Sequence, residues 1–381
     1  MFLYQISLMK VIHMNINNSN KPVNRDDRHT RFEQQLHSST RNLGIDLLRI
    51  ISMFMVVILH VLGQGGILNS APALSGSLVL YWLLESLCFC AVNCFGIISG
   101  YVSRREILSI RGCFLRWAQV AFYSVLLTLL VGVIFPNTLS VRHFLGSFFP
   151  VTTQKYWYFT AYFALMFFTP FLNQFLNRLT PQKADQLIIT IVMLLCLFPL
   201  LTGRDLYYLR GGYTFLWLCS LYLLGGCFRK RYYHDVLPQS FLMLGYMLCV
   251  LTTVGSKVMC TTLQDRFQYS VAQLDYLFTY TSPTVLGAAA FLFLLFRNIS
   301  MRGDITKRMI KFCSPLSFGV YLIHTHPSVW NNLLSNRFSR FANYSSFFCI
   351  LLVLFSSVAI FSVCIVVDFL RYALFRRLKL T

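Results

Sequence analysis

Ten apolar runs of 16 to 26 residues recur along this 381-residue chain. A bilayer core about 30 Å thick takes roughly 20 apolar residues of α-helix to cross, so this recurrence constrains the fold more than any other feature. The runs are Gly44–Leu62, Ser77–Val102, Cys113–Phe135, Tyr156–Phe175, Gln186–Leu201, Tyr213–Phe228, Phe241–Val258, Leu277–Phe296, Leu316–Leu334 and Ser346–Val367. Apolar residues make up 56% of the chain and charged ones 12%, where a soluble protein carries roughly a quarter charged. The expected fold is an all-α membrane protein, a bundle of about ten transmembrane helices.

A formal net charge of +20 would suit a nucleic-acid binder, but the distribution of Lys and Arg argues otherwise. With alternate loops assigned to opposite sides, 24 fall on the side of both termini, 8 on the other, and Arg49 lies inside a span. This is the positive-inside pattern: both termini are expected in the cytoplasm, and no nucleic-acid partner is expected.

Residues 1–41 are polar and lack the apolar segment of a signal peptide. They read as a disordered cytoplasmic tail, with Met14 an alternative start. Residues 42–381 read as one polytopic domain. Its twelve cysteines lie almost entirely in spans without a CxxC pair, as packing residues do, and no metal is expected.

Function is sought in polar residues placed where lipid should exclude them. An intramembrane charge costs several kcal/mol and faces the bundle interior. Arg49 and His60, eleven residues apart in the first span, share one helix face, separated by about 1100° of rotation and about 16.5 Å of rise. Asp46, three residues before Arg49, can orient its guanidinium. A snorkelling Arg and a hydrogen-bonded structural His are the plainer alternative. Glu85, within the second span, is expected to pair with a buried cation or hydroxyl. Ser99, Gly100 and Tyr101 at that span's end offer either close helix packing or a docking point.

Arg104, Arg105, Arg111 and Arg116 cluster in the next loop. Arginine makes bidentate bonds to phosphate, so the loop suits a polyphosphate, or else anchors topology against anionic lipid. Tyr156 and Trp157 open the fourth span as belt aromatics do. His324 and His326 in the ninth are two residues apart. They share no helix face, which makes a metal site from that pair unfavourable.

In order, Asp46-x-x-Arg49 with His60, Phe95-Gly96-Ile97-Ile98-Ser99-Gly100-Tyr101, the arginine loop, Tyr156-Trp157-Tyr158 with Pro170, and Ser317-Phe318-Gly319-Val320-Tyr321-Leu322-Ile323-His324 resemble the acyltransferase 3 family. The likeness runs from about Asn42 to Leu370. That family comprises ten-helix bacterial membrane enzymes that acylate envelope glycans. Two departures stand out: Asn93 where many members carry an acid, and Cys113 in place of the first Arg of an Arg-x-x-Arg, with Arg116 as the second.

The resemblance implies transfer of an acyl group, acetyl first among them, from acetyl-CoA or another acyl-CoA to a hydroxyl of an envelope polysaccharide or lipid-linked sugar at the bacterial cytoplasmic membrane. By resemblance His60 stands at the catalytic histidine and Arg49 is its partner on the donor side, with the arginine loop meeting the donor phosphates; Asp46 and Glu85, read from their placement, complete the catalytic candidates. Arg49, Ser99, Tyr101, Arg104, Arg111 and Arg116 are the donor-binding candidates; Tyr156, Trp157, Tyr321 and His324 are those for the acceptor. A transporter or flippase for a glycan or lipid-linked intermediate is the competing class, since buried charge also marks transport paths. The two halves of the chain show no likeness to each other, which favours the enzyme.

Overall fold

The computed structural model describes residues 41–231 and 237–378, so the expectation for the tail at 1–41 lies almost wholly outside the described residues. The described part from Leu43 onward forms one compact unit. Each expected span falls on a helix: α1 Leu43–Leu62, α2 Gly76–Val102, α3 Ile110–Ile134, α4 Trp157–Arg178, α5 Pro181–Thr202, α6 Phe215–Arg231, α7 Gln239–Phe267, α8 Pro283–Arg297, α9 Asp304–His324 and α10 Ser346–Arg377. Seven of these stretches are long and apolar enough to cross a membrane, and α8 is a shorter apolar helix. The chain is a multi-pass, all-helical membrane protein. The tail of α6 carries Arg229, Lys230 and Arg231, and the first half of α9 carries Lys307, Arg308 and Lys311.

Several boundaries differ from the apolar runs. The second is interrupted at Cys90, where the chain turns from Gly76–Phe89 into Ala91–Val102. The ninth ends as helix at His324, and a separate π-helical turn spans Trp330–Leu334. Pro327, three residues past His324, explains the second: it cannot continue the hydrogen-bond ladder of α9. The loop expected after Val258 is shorter than the sequence suggests, because α7 runs on to Phe267 through polar residues that hydrogen-bond within the helix.

α1 occupies the middle of the bundle, packed against α9, α10, α2 and α8. Two polar contacts join α1 to α9. At one end Asp46 accepts from Arg49 and from Ser314, at 2.9 and 3.0 Å. At the other His60 meets His324. The pairing of low with low and high with high residue numbers makes the two helices parallel.

The Ser99-Gly100 element resolves in favour of close packing at Gly100. A methyl built there would lie 1.8 Å from the carbonyl oxygen of Tyr222, and one on Gly225 would lie 2.0 Å from that of Ile97. α2 and α6 therefore touch backbone to backbone. Arg229 extends the contact by donating to the carbonyls of Gly100, Tyr101 and Ser103 at the end of α2, where a cation suits both the orphan acceptors and the helix dipole.

Asn93 has an equally local explanation. Buried between helices, its amide donates to the carbonyl of Tyr280 at 2.8 Å and accepts from Trp217 Nε1 at 3.0 Å. A carboxylate could accept the second bond but not donate the first. Glu85 pairs with Lys257 at 2.9 Å, tying α2 to α7, and the ammonium sits 3.7 Å from the centroid of the Phe278 ring.

Gly100→Ala is expected to cost about 1 to 3 kcal/mol by overpacking the α2–α6 contact. Gly255→Ala, with nothing within 4 Å of the added methyl, should leave stability unchanged or slightly raised. Thermal unfolding of the detergent-solubilised protein compares them.

Candidate functional site

A large cavity of about 1140 Å³ follows α1 from Arg49 to His60. Small-molecule pockets commonly measure about 300 to 1,000 Å³, so the space suits an extended ligand. Arg49, Arg104, Arg105 and Arg116 line one end; His60, Trp157, Tyr213, Trp330 and Lys155 line the other. Ser99, Tyr156 and Tyr321 also contribute to the wall. Not one Asp or Glu does.

The arginine end is assembled by capping and pinning. Arg49 is oriented by Asp46 and lies 3.1 Å from the hydroxyl of Ser314 on α9. Pro315, immediately after, lacks the N–H that would bond the carbonyl of Lys311. The loop after α2 is held by Asn173 of α4, whose amide donates to Ser103 Oγ at 3.1 Å and to the carbonyl of Arg105 at 2.8 Å. Tyr222 of α6 completes the clamp by donating to Asn173 Oδ1 at 2.8 Å. Asn177, one turn further along α4, donates to Glu106. Arg104 and Arg105 thus extend from a loop fixed on both flanks, which spares a ligand the cost of ordering the backbone.

At the other end the protons can be placed. Nδ1 of His60 lies 3.0 Å from Nε2 of His324, whose Nδ1 lies 2.6 Å from the carbonyl oxygen of Val320. A carbonyl only accepts, so neutral His324 carries its proton on Nδ1 and its Nε2 accepts from His60 Nδ1–H. His60 keeps its lone pair on Nε2. Trp330 packs edge-on to the His60 ring, centroids 4.5 Å apart, restricting its rotation. An orienting acceptor behind an imidazole is the arrangement by which general bases are held in one tautomer.

The candidate residues thus separate into groups. Arg49, His60, Ser99, Arg104, Arg116, Tyr156, Trp157 and Tyr321 share the cavity wall. Asp46 and His324 stand directly behind the wall, each holding a lining residue. His324 therefore lies one layer away from an acceptor's place. The Tyr156 hydroxyl is occupied by the carbonyl of Leu322 at 3.0 Å, leaving its ring and not its hydroxyl to face a ligand. Ser99 Oγ likewise donates to the carbonyl of Phe95 at 2.8 Å.

The remaining three candidates lie away from the wall. Tyr101 packs its ring on Phe293, centroids 5.1 Å apart. Arg111 is exposed at the start of α3. Glu85, bound to Lys257, belongs to the α2–α7 brace; its sequence position inside a span carried no information about which side of α2 met the cavity. Among the described residues no cluster of three metal-ligating side chains occurs, and all twelve cysteines are free thiols. Trp330, Lys155, Ser314 and Tyr213 are additions from the structure. A Trp-Asn-Asn sequence just past the end of α9 was the available signal for the first.

A family model described as an acyltransferase domain, Acyl_transf_3, matches residues 42–368. The chain belongs to this family of acyltransferases. No curated protein and no solved structure matches it.

If His324 acts by holding the His60 tautomer, His324→Ala should lower acyl transfer per folded protein about a hundredfold or more, within the range of general-base contributions. His324→Gln, whose carbonyl can accept from Nδ1–H, should restore much of it. The rate against pH for the three proteins checks this, since loss of the orienting acceptor alters the profile and simple loss of folded protein does not.

Proposed function

We propose that the protein moves an acyl group, acetyl foremost, from acyl-CoA to a hydroxyl of an envelope polysaccharide or lipid-linked sugar at the bacterial cytoplasmic membrane. The observation that carries this reading is one continuous cavity with arginines at one end and an oriented imidazole at the other. The positive-inside pattern puts the arginine end in the cytoplasm, where acyl-CoA is available. The parallel sense of α1 and α9, expected of the first and ninth of ten alternating crossings, supports that topology.

On this reading the CoA phosphates are held by Arg104, Arg105 and Arg116 through charge-assisted bonds. Arg49 marks the inner limit of the charged zone. The pantetheine arm then runs along α1 and brings the thioester towards His60, about 16.5 Å away by helical rise. The acceptor hydroxyl approaches from the opposite end, where Trp157, Tyr213, Tyr280 and Trp330 offer aromatic faces to a sugar.

His60 Nε2 takes the hydroxyl proton as the oxygen attacks the thioester carbonyl. The imidazolium charge is shared through Nδ1–H with His324. Collapse of the tetrahedral intermediate breaks the C–S bond, and the proton on Nε2 passes to the leaving sulfur, giving ester and CoA thiol. Family membership favours this chemistry over transport.

Two measurements test the assignment. Arg116→Ala should raise the donor concentration needed for half-maximal transfer about tenfold or more, the loss of one charge-assisted contact worth about 1.5 to 3 kcal/mol, at unchanged abundance. His60→Ala should lower transfer about a hundredfold to ten-thousandfold while inserting normally. Wild-type specific activity in His60→Gln, which keeps hydrogen bonding without basicity, would defeat the general-base role.

A further inference from the structure

Lys155 is the one lysine on the cavity wall, set at the His60 end just before α4. Among the described residues its ammonium makes a single hydrogen bond, 3.1 Å to Thr128 Oγ1 of α3. That hydroxyl spends its own proton on the carbonyl of Ser124, at 2.7 Å. Among the described residues no carboxylate lies within ion-pair distance of Lys155, and the cavity wall contains none at all. His326 lies close enough to interact electrostatically with Lys155. That ring accepts from the backbone N–H of Ser328 on Nδ1 and directs Nε2 to the carbonyl of Ser124 and to Thr128, so it supplies no negative charge.

A half-buried ammonium with no carboxylate beside it is best completed by an anion. Partial burial without a counter-ion brings the Lys155 ammonium down to about 8. At the arginine end the positive charge has an occupant in the donor phosphates. Lys155 stands at the far end of α1 from those arginines, beside the oriented imidazole and the aromatic faces. Its complement is therefore a second anion, brought by the molecule that enters from that side.

We propose that Lys155 forms an oxyanion-binding subsite for the acceptor, so that the glycan acylated here carries a carboxylate or a phosphate close to the hydroxyl that reacts. This rests on the acyltransferase reading for the acceptor's identity, but the subsite itself is a matter of binding. The ammonium, a compact point charge, suits either oxyanion. The aromatic rings around it hold the sugar body, and the anion sets which hydroxyl is presented to His60.

The test uses purified full-length protein in detergent at constant ionic strength, with glucuronic acid, glucose 1-phosphate and glucose as probes and sodium chloride as the control. Thermal stabilisation by one or both anionic sugars, at a concentration at least tenfold below that at which glucose acts, is expected for the wild type. Lys155→Gln should abolish that difference, and Lys155→Arg should retain most of it. The carboxylate and phosphate arms tell the two sources apart. Equal stabilisation by all three sugars in the wild type, or an anion preference that persists in Lys155→Gln, overturns the subsite.

Acyl transfer from acetyl-CoA to the same sugars is read in parallel. Selective binding without transfer sinks the acyltransferase reading for these acceptors and leaves the subsite standing. Transfer without anion preference does the reverse.

Discussion

The docking of α1 against α9 holds the rest of the site in place. Both of the ionisable residues that face the cavity from α1 are secured by α9: Arg49 through Ser314 and the shared carboxylate of Asp46, His60 through His324. Each such contact is a constraint as much as a stabilisation. A buried charge pair gains little net free energy over well-packed apolar residues, yet removing one partner is costly because it strands the other. The two contacts therefore select one register of α9 on α1 more strongly than apolar packing alone would.

Around this pair the other helices act as supports with distinct chemistry. α2 and α6 meet through Gly100 and Gly225 with their backbones in contact, and Arg229 closes the end of α2. α10 approaches α9 where Gly319 leaves room for Asp368, whose carboxylate accepts from Tyr123 at 2.8 Å and Arg371 at 2.7 Å. This second buried acid ties α3, α9 and α10 together one layer behind the cavity wall, where Gln119 also reaches it. Buried polar groups in this protein thus occur in two roles, as wall and as brace, and residue type alone does not distinguish them.

That distinction marks the limit of what the sequence could tell. Hydropathy located every long helix, because apolar length is a property of consecutive residues. The shared face of Arg49 and His60 was legible for the same reason: helical rotation is fixed by spacing along one element. Asp46 followed from its position one turn before Arg49. The partnership of His60 with His324 was not legible, because 264 residues separate the two and only tertiary packing joins them. The pairing expected of Glu85 with a buried cation is met by Lys257, but which side of α2 faces the cavity was not legible, because its span was known and its facing was not; the break at Cys90 further obscured any extrapolation along α2. Lys155 passed as one of a few cations on the sparsely charged side, its lack of an acidic partner visible only once the surroundings are known. The proximity of the family's motifs, scattered from residue 46 to residue 324, becomes physical in the cavity wall and the layer just behind it.

The parallel pairing of α1 and α9 has a consequence for selectivity. Two contacts near opposite ends of the same helix pair work as a vernier: a slip of one turn, about 5.4 Å, would break both together, while the rise of α1 itself sets the separation between Arg49 and His60. The pair is a ruler. On the proposed function, a donor gripped at the arginines would be measured from its charged head to its reactive carbon. Groups beyond that carbon fall outside the measured length and meet only the width of the chamber. Carrier and cargo are thereby judged by different dimensions of the same space.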